Sequence, residues 1–303
     1  RNIHGRSIQA VTTDPTGDIT EGQIWYNTTS DTFKTVLLNA GWSSGGNLLT
    51  GRQELLGTGT QTAALGSAGY NSPNTGIGAL TEEYNGTGWN VGGALNTARF
   101  GGSGAGIQTA TFIVGGATPP PGFPYTSQTE EYDGSTWTTG NNMGTARIAA
   151  GGFGTIPAGA IAGGRTPPNT ATSATEEYDG TNWTAGGALN NATRSNGGAG
   201  TQTAGLSFGG TPGDSTYLAN TEEYDGSSWT TSNSMSVARG MGARAGTQTS
   251  AMYSGGQTPP FKDSVEQYDG TSWTTATPLT TATSTIGGDG ASNTASVVFG
   301  GNT

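Results

Sequence analysis

The sequence predicts an all-β fold, a six-bladed β-propeller with four antiparallel strands per blade. Three observations carry this. Six tryptophans (Trp42, Trp89, Trp137, Trp183, Trp229 and Trp273) recur at intervals of 47, 48, 46, 46 and 44 residues. A period in the forties marks a repeat architecture. Within each period the same short extended runs alternate with turn signals, and no apolar stripe of 3.6-residue period appears, as a helical repeat would require. Glycine makes up 55 of 303 residues, too many for helix interiors. Its regular placement argues for ordered turns rather than disorder. A β-solenoid would have much shorter rungs.

One unit shows the elements in order. Thr221-Glu222-Glu223-Tyr224 is a short extended run. Asp225-Gly226 signals a hairpin, read as a type I′ turn with positive φ at both central residues. Residues 227–231 form the return strand, and a polar linker leads to Val237-Ala238-Arg239. The small-residue run Gly240-Met241-Gly242-Ala243 reads as the next strand, Gly246-Thr247-Gln248-Thr249 as a turn, and Ser250-Ala251-Met252-Tyr253 as the strand closed by Gly255-Gly256. In blade order these strands are c, d, a and b.

The other units repeat the pattern. The acid-aromatic run recurs as Glu82-Glu83-Tyr84, Glu130-Glu131-Tyr132, Glu176-Glu177-Tyr178 and Glu266-Gln267-Tyr268. The turn recurs as Asn85-Gly86, Asp133-Gly134, Asp179-Gly180 and Asp269-Gly270. Glycine doublets follow at 115–116, 163–164, 209–210 and 300–301, with Ala68-Gly69-Tyr70 as a degenerate copy. An arginine lies ten or eleven residues after the tryptophan: Arg52, Arg99, Arg147, Arg194 and Arg239, with Thr283 in the last unit.

The last unit stops after its second strand. Residues 33–38 and 41–43 are read as its missing third and fourth strands, so that both chain ends build the sixth blade. Such closure removes exposed sheet edges. The domain reading follows: residues 1–32 as an N-terminal arm for attachment, and 33–303 as the propeller. Residues 21–29 read as an added strand pairing with 33–38. The chain opens on Arg1 without a signal peptide, which reads as a processed or partial product.

Composition narrows function. Net charge is −10, against the basic footprint that nucleic-acid binding needs. No apolar run approaches the 18 residues of a membrane span. Cysteine is absent, so disulfides and thiolate metal sites are excluded. His4 is the only histidine and lies in the arm, which argues against a Ser-His-Asp triad and a histidine metal site. No calcium-loop spacing or phosphate-cradling loop appears. No cofactor is expected.

The order of Gly-Gly, Tyr and Trp, with an Arg near each blade start, resembles the kelch repeat over roughly residues 33–301. Tyr224 and Trp229 stand five positions apart, closer than the usual kelch spacing, which makes this a kelch-like variant. The near-identical Thr-Glu-Glu-Tyr-Asp-Gly-Ser-x-Trp units are similar to those of virion proteins of marine tailed phages. Gly22-Gln23-Ile24-Trp25-Tyr26-Asn27-Thr28 is similar to a segment frequent in phage tail and fibre proteins. The resemblance implies a non-enzymatic virion component of the tail, fibre or capsid surface. It would act in assembly with other virion proteins, or in binding a host-surface glycan or protein. Two alternatives stay open: a secreted carbohydrate-binding propeller, and an enzyme acting on glycans. The copper chemistry found in one kelch enzyme requires a thioether-forming cysteine and histidine ligands that this chain lacks.

Paired carboxylates can perform acid–base chemistry on glycosides. A pair repeated in nearly every blade is poor evidence for one active site. One Glu of each pair is expected to face solvent and the other to meet an arginine. Arg52, Arg99, Arg147, Arg194 and Arg239, with Glu131, Glu177 and Glu223, form the expected structural set. A basic collar for an anionic glycan is the functional alternative. The tryptophans are expected to pack between blades, though exposed aromatics could also stack on sugars.

The b–c and d–a connections lie on one face of an antiparallel blade, and the a–b and c–d turns on the other. The second group is short and repetitive. The b–c loops differ, and loops on a rigid scaffold are the usual place for recognition. They supply the candidate binding residues Pro120, Phe123, Tyr125, Arg165, Tyr217, Phe261 and Lys262. The alternative is that the aromatics cover the blade beneath.

Overall fold

The computed structural model describes residues 9–12, 24–29, 32–35, 41–71, 76 and 78–303. They fall into two compact units, Arg1–Trp42 and Ser43–Thr303. In the first unit, β1 (Gln9–Val11) runs parallel to β2 (Ile24–Asn27), which pairs antiparallel with β3 (Thr32–Thr35). The pairing expected between 21–29 and 33–38 is present over these strands. Residues 36–40 lie outside the described residues.

The second unit is a β-propeller of five four-stranded antiparallel blades followed by a two-stranded sheet. The first blade comprises β4 (Leu56–Thr60), β5 (Ala63–Ser67), β6 (Thr81–Tyr84) and β7 (Trp89–Val91). The second comprises β8 (Ser103–Ile107), β9 (Ala110–Val114), β10 (Thr129–Tyr132) and β11 (Trp137–Gly140). The third has β12 (Gly151–Thr155) and β13 (Ala158–Ala162), then a small hairpin, β14 (Arg165–Thr166) with β15 (Thr170–Ala171), then β16 (Thr175–Tyr178) and β17 (Trp183–Gly186). The fourth is β18 (Gly197–Thr201), β19 (Ala204–Phe208), β20 (Thr221–Tyr224) and β21 (Trp229–Ser232). The fifth is β22 (Ala243–Thr247), β23 (Ser250–Ser254), β24 (Val265–Tyr268) and β25 (Trp273–Ala276). The two-stranded sheet is β26 (Gly287–Ser292) with β27 (Ala295–Phe299). Its inner strand touches β22 on one side and β4 on the other.

Six four-stranded blades were expected and five are present. The last unit brings only two strands of its own, and 41–43, expected as a strand, carry no strand structure. Two local expectations are also corrected. The inner strand of the fifth blade begins at Ala243, not Gly240. Met241 holds φ +60°, a left-handed conformation that cannot continue a ladder. The Asp-Gly turn is a four-residue loop rather than a two-residue one. Only Gly226 has positive φ, and Asp225 N–H donates to Ser228 O at 3.2 Å. The Asp225 carboxylate accepts the N–H groups of Ser227 and Ser228, each at 2.8 Å. These bonds, those to Ser228 first, hold the exposed Asp225 carboxyl at about 2, below its usual range. Side-chain capping of this kind is the reason Asp and Asn favour such loops.

Large side chains fill the space between blades. Phe112 of the second blade packs against Tyr178 and Trp183 of the third, with ring centroids 5.8 Å apart in both contacts. Each such ring buries on the order of 150–250 Å². The indole N–H of Trp137 reaches back to Thr81 Oγ1 at 2.9 Å, and Trp183, Trp229 and Trp273 make the same bond to Thr129, Thr175 and Thr221. The Thr that opens the c strand of each of the first four blades therefore docks the next blade. Gln108, Gln202 and Gln248, in the a–b turns, each donate to two carbonyls of the preceding blade.

Left-handed backbone favours glycine at the doublets. Gly115 and Gly116 have φ +69° and +97°, and a Cβ on Gly115 would collide with the Arg147 carbonyl. Ala68, in the degenerate doublet, takes the same conformation at φ +61°. Among the described residues no helix is long and apolar enough to cross a membrane.

Candidate functional site

Four of the repeated arginines end in buried ion pairs. Arg52 meets Glu82 at 2.9 Å, Arg99 meets Glu130 at 2.6 Å, Arg147 meets Glu176 at 3.0 Å and Arg239 meets Glu266 at 2.5 Å. The Glu130 carboxylate also accepts the N–H groups of Asn96 and Thr97 at 2.6 and 3.1 Å. At Arg147, Nη2 is close enough for charge attraction, but it is not aligned for a hydrogen bond. The pair therefore rests on proximity, which is what Coulomb attraction depends on. Burial lowers the pKa of Arg52, Arg99 and Arg147, and their carboxylate partners oppose the shift.

Glu131, Glu177 and Glu223 are not the arginine partners. They accept the tyrosine hydroxyl of the following blade: Tyr178 on Glu131, Tyr224 on Glu177 at 2.5 Å and Tyr268 on Glu223 at 2.5 Å. Successive residues of a strand point to opposite faces. Glu82, Glu130 and Glu176 thus serve their own blade's arginine, and the second Glu of each pair serves the neighbouring blade.

Arg194 leaves the series. It lies eleven residues after Trp183, whereas the other four arginines lie ten after theirs. Thr193 occupies the arginine register and donates to Gly209 O at 3.3 Å, as Arg99 does to Gly115 O at 3.0 Å. Glu222 is held instead by Asn190 and Asn191, through both their backbone N–H groups and their side-chain amides. Arg194, one residue on, pairs with Asp214 and donates to Asn169 Oδ1 at 2.6 Å.

That turn takes Arg194 to a pocket on the b–c and d–a face. At its base six residues, one ahead of each inner strand, share a left-handed backbone: Glu54, Gly101, Ala149, Ser195, Met241 and Thr285, with φ between +51° and +61°. Each donates its N–H to the carbonyl of the one before. The distances are 3.0 Å (Gly101 to Glu54), 2.8 Å (Ala149 to Gly101), 2.6 Å (Ser195 to Ala149), 3.0 Å (Met241 to Ser195), 2.8 Å (Thr285 to Met241) and 3.2 Å (Glu54 to Thr285). The ring of six bonds closes on itself.

The pocket above it has a volume of about 230 Å³ and is lined by side chains that include Glu54, Ile148, Arg165, Arg194, Tyr217 and Arg244. Arg244 is the second residue of β22. The same place holds Gly57, Gly104, Gly152, Gly198 and Gly288 in the other inner strands. Glycine suits it because these backbones abut: a Cβ on Gly198 would fall 2.8 Å from Gly152. Arg244 fills the axis instead, and its Nη2 donates to Gly104 O of the second blade at 3.2 Å. Burial lowers its pKa, with nearby Asp289 opposing the shift. Burial pushes the Asp289 carboxyl up to about 7, against N–H bonds from Gly290 and Gly59 and the Arg244 charge. Burial also raises the Glu54 carboxyl, opposed by Arg165 and a hydrogen bond with Tyr70.

Of the loop candidates, Arg165 and Tyr217 line the pocket. Tyr125 lies 5.5 Å beneath the Arg165 guanidinium. Phe123 is 46 % exposed and packs edge-on against Phe100. Pro120 is exposed, Phe261 and Lys262 are half-buried, and none of these three lines the pocket. Trp89, Trp137 and Trp229 are buried, Trp183 and Trp273 are half-buried, and so is Trp42 in the first unit. Glu54, Asp214 and Arg244 were not singled out from the sequence. The signals for them were an arginine at an otherwise glycine position and the eleven-residue step to Arg194. Among the described residues no cluster of three His, Cys, Asp or Glu side chains could hold a metal ion. A scan against protein-family models finds no match to the chain, and a search of curated proteins finds none either.

Proposed function

We propose that the chain is a non-enzymatic recognition component of a tailed-phage particle, in which the propeller presents its b–c face to a host-surface ligand. The observation that carries this is the inequality of the two faces. One holds short, repetitive turns, mostly Asp-Gly and Gln-Thr, of which Gln108, Gln202 and Gln248 bond to the preceding blade. The other holds loops of differing length and sequence around a pocket. The repeated Thr-Glu-Glu-Tyr unit and the 22–28 segment support the phage setting, with residues 1–32 as the attachment to other virion proteins. Replacing 118–126 and 258–262 with Gly-Ser should leave the ring folded and weaken binding to host cells at least tenfold. Deleting 1–32 should abolish incorporation into particles. Unchanged cell binding by the loop-replaced protein overturns the part of these two loops in recognition.

The two-stranded sheet is read as a sixth blade completed by residues 33–44. Support comes from how the chain enters the first blade. Gly45 lies against the Tyr84 hydroxyl as Gly92 lies against that of Tyr132. Glu82 accepts the N–H groups of Leu49 and Thr50 at 2.6 and 3.3 Å, as Glu130 accepts those of Asn96 and Thr97. Residues 92–97 follow an outer strand, β7, so 45–50 occupy the place that follows one. Removing 1–44 should then lower the unfolding midpoint markedly. A shortened chain as stable as the full one refutes this closure.

A further inference from the structure

We infer that the axial pocket binds an acidic saccharide, a sugar ring carrying a carboxylate or sulfate, with Arg244 and Arg165 as the anion-binding residues. The inference rests on the recognition reading above and names its ligand class. Charge placement is the first support. The second unit has eight cationic side chains in a chain of net charge −10. Four are consumed in Arg–Glu pairs, three line this one pocket, and the eighth is Lys262. An unpaired guanidinium is costly to bury, and Arg244 stands where the repeat's own solution is glycine. Among the described residues its guanidinium makes one hydrogen bond, to Gly104 O. The fold does not need the charge there, since five equivalent strands manage without it.

Three acids stand near these groups, and none makes an ion pair with Arg244 or Arg165. Buried Asp289, nearest Arg244, is pushed up to about 7 by burial and is already held by the Gly59 and Gly290 N–H groups. Asp214 is bound to Arg194, and its side chain is 76 % exposed at the rim. Burial raises the Glu54 carboxyl, with the Arg165 charge opposing the shift. Size and lining point to a sugar rather than a bare ion. A pocket of about 230 Å³ has room for a sugar ring. Leu55, Ile148, Met241 and Tyr217 supply the apolar part of the wall, which a bare ion would leave unused and the C–H face of a pyranose would cover. Guanidinium groups suit the planar carboxylate that such a ring carries.

Calorimetric titration of the full chain with glucuronate, galacturonate, glucose and inorganic sulfate tests this. Either uronate should bind at least tenfold more tightly than glucose and than sulfate. Arg244→Gly and Arg165→Gln should each weaken uronate binding at least tenfold, while Lys262→Gln should not. Circular dichroism checks the fold of each variant. If Arg244→Gly does not fold, Arg165→Gln decides alone. Sulfate binding as tight as uronate, or uronate binding untouched by both arginine variants, overturns the assignment. Loss of host-cell binding on loop replacement, with no uronate binding, leaves the recognition role standing and removes only this pocket's part in it.

Discussion

Arg99 is fully buried, and its guanidinium is held by Glu130 and by the carbonyls of Gly115 and Gln128. Removing it strands a carboxylate that is itself only 1 % exposed. Loss of one partner from a buried pair costs about 3–5 kcal/mol, so Arg99→Ala is expected to lose that much in urea unfolding. Arg194→Ala should lose only about 0–1 kcal/mol from its ion pair, because Asp214 stays hydrated. Equal losses at the two positions would contradict the division between structural and pocket arginines. That division was half legible in the sequence. The recurring Arg and Glu announced an ion-pair set, but which Glu of each pair was used depended on strand facing, which adjacent identical residues cannot reveal. The one-residue shift at Arg194 was visible as a number and was absorbed into the series.

The c strands were readable residue by residue. Thr-Glu-Glu-Tyr starts and stops where β6, β10, β16 and β20 do, because the capped Asp-Gly or Asn-Gly loop ends each one sharply. The inner strands were not. Their alternation is carried by Gly, Ala and Thr, which give no contrast between apolar and polar faces. The residue that ends the approach to each strand is left-handed without being glycine in five of six copies. Starting the fifth inner strand three residues early put Arg244 beyond it, and the pocket's central side chain was lost with the register. The tryptophan contacts were legible for the opposite reason: a large ring at a fixed period has few places to go other than between blades.

Across the whole molecule the tyrosines of the c strands tie blade to blade, and they bear on behaviour in alkali. Burial, then the hydrogen bond to a neighbouring carboxylate, pushes Tyr132, Tyr224 and Tyr268 up to about 12; Tyr178 moves in the same direction. An unfolded tyrosine titrates near about 10. Between those values the unfolded chain has lost protons that the folded chain keeps, so stability falls as pH rises through the window and is unaffected below it. Urea midpoints should hold from pH 8 to about 10 and then decline toward 12, with phenolate absorbance showing a late-titrating group. Tyrosines that all ionise near 10 with no decline would refute the coupling. The six-membered hydrogen-bonded ring at the base of the pocket has a different reach. Its links all run in the same rotational sense, so the peptide dipoles circulate around the axis and largely cancel along it. Every donor and acceptor in the circle is already spoken for. The backbone of the floor therefore offers a guest neither charge nor a free N–H, and discrimination among guests falls to the side chains around it. Those can be exchanged one at a time without opening the circle, which makes this end of the propeller a place where new binding preferences can arise on an unaltered frame.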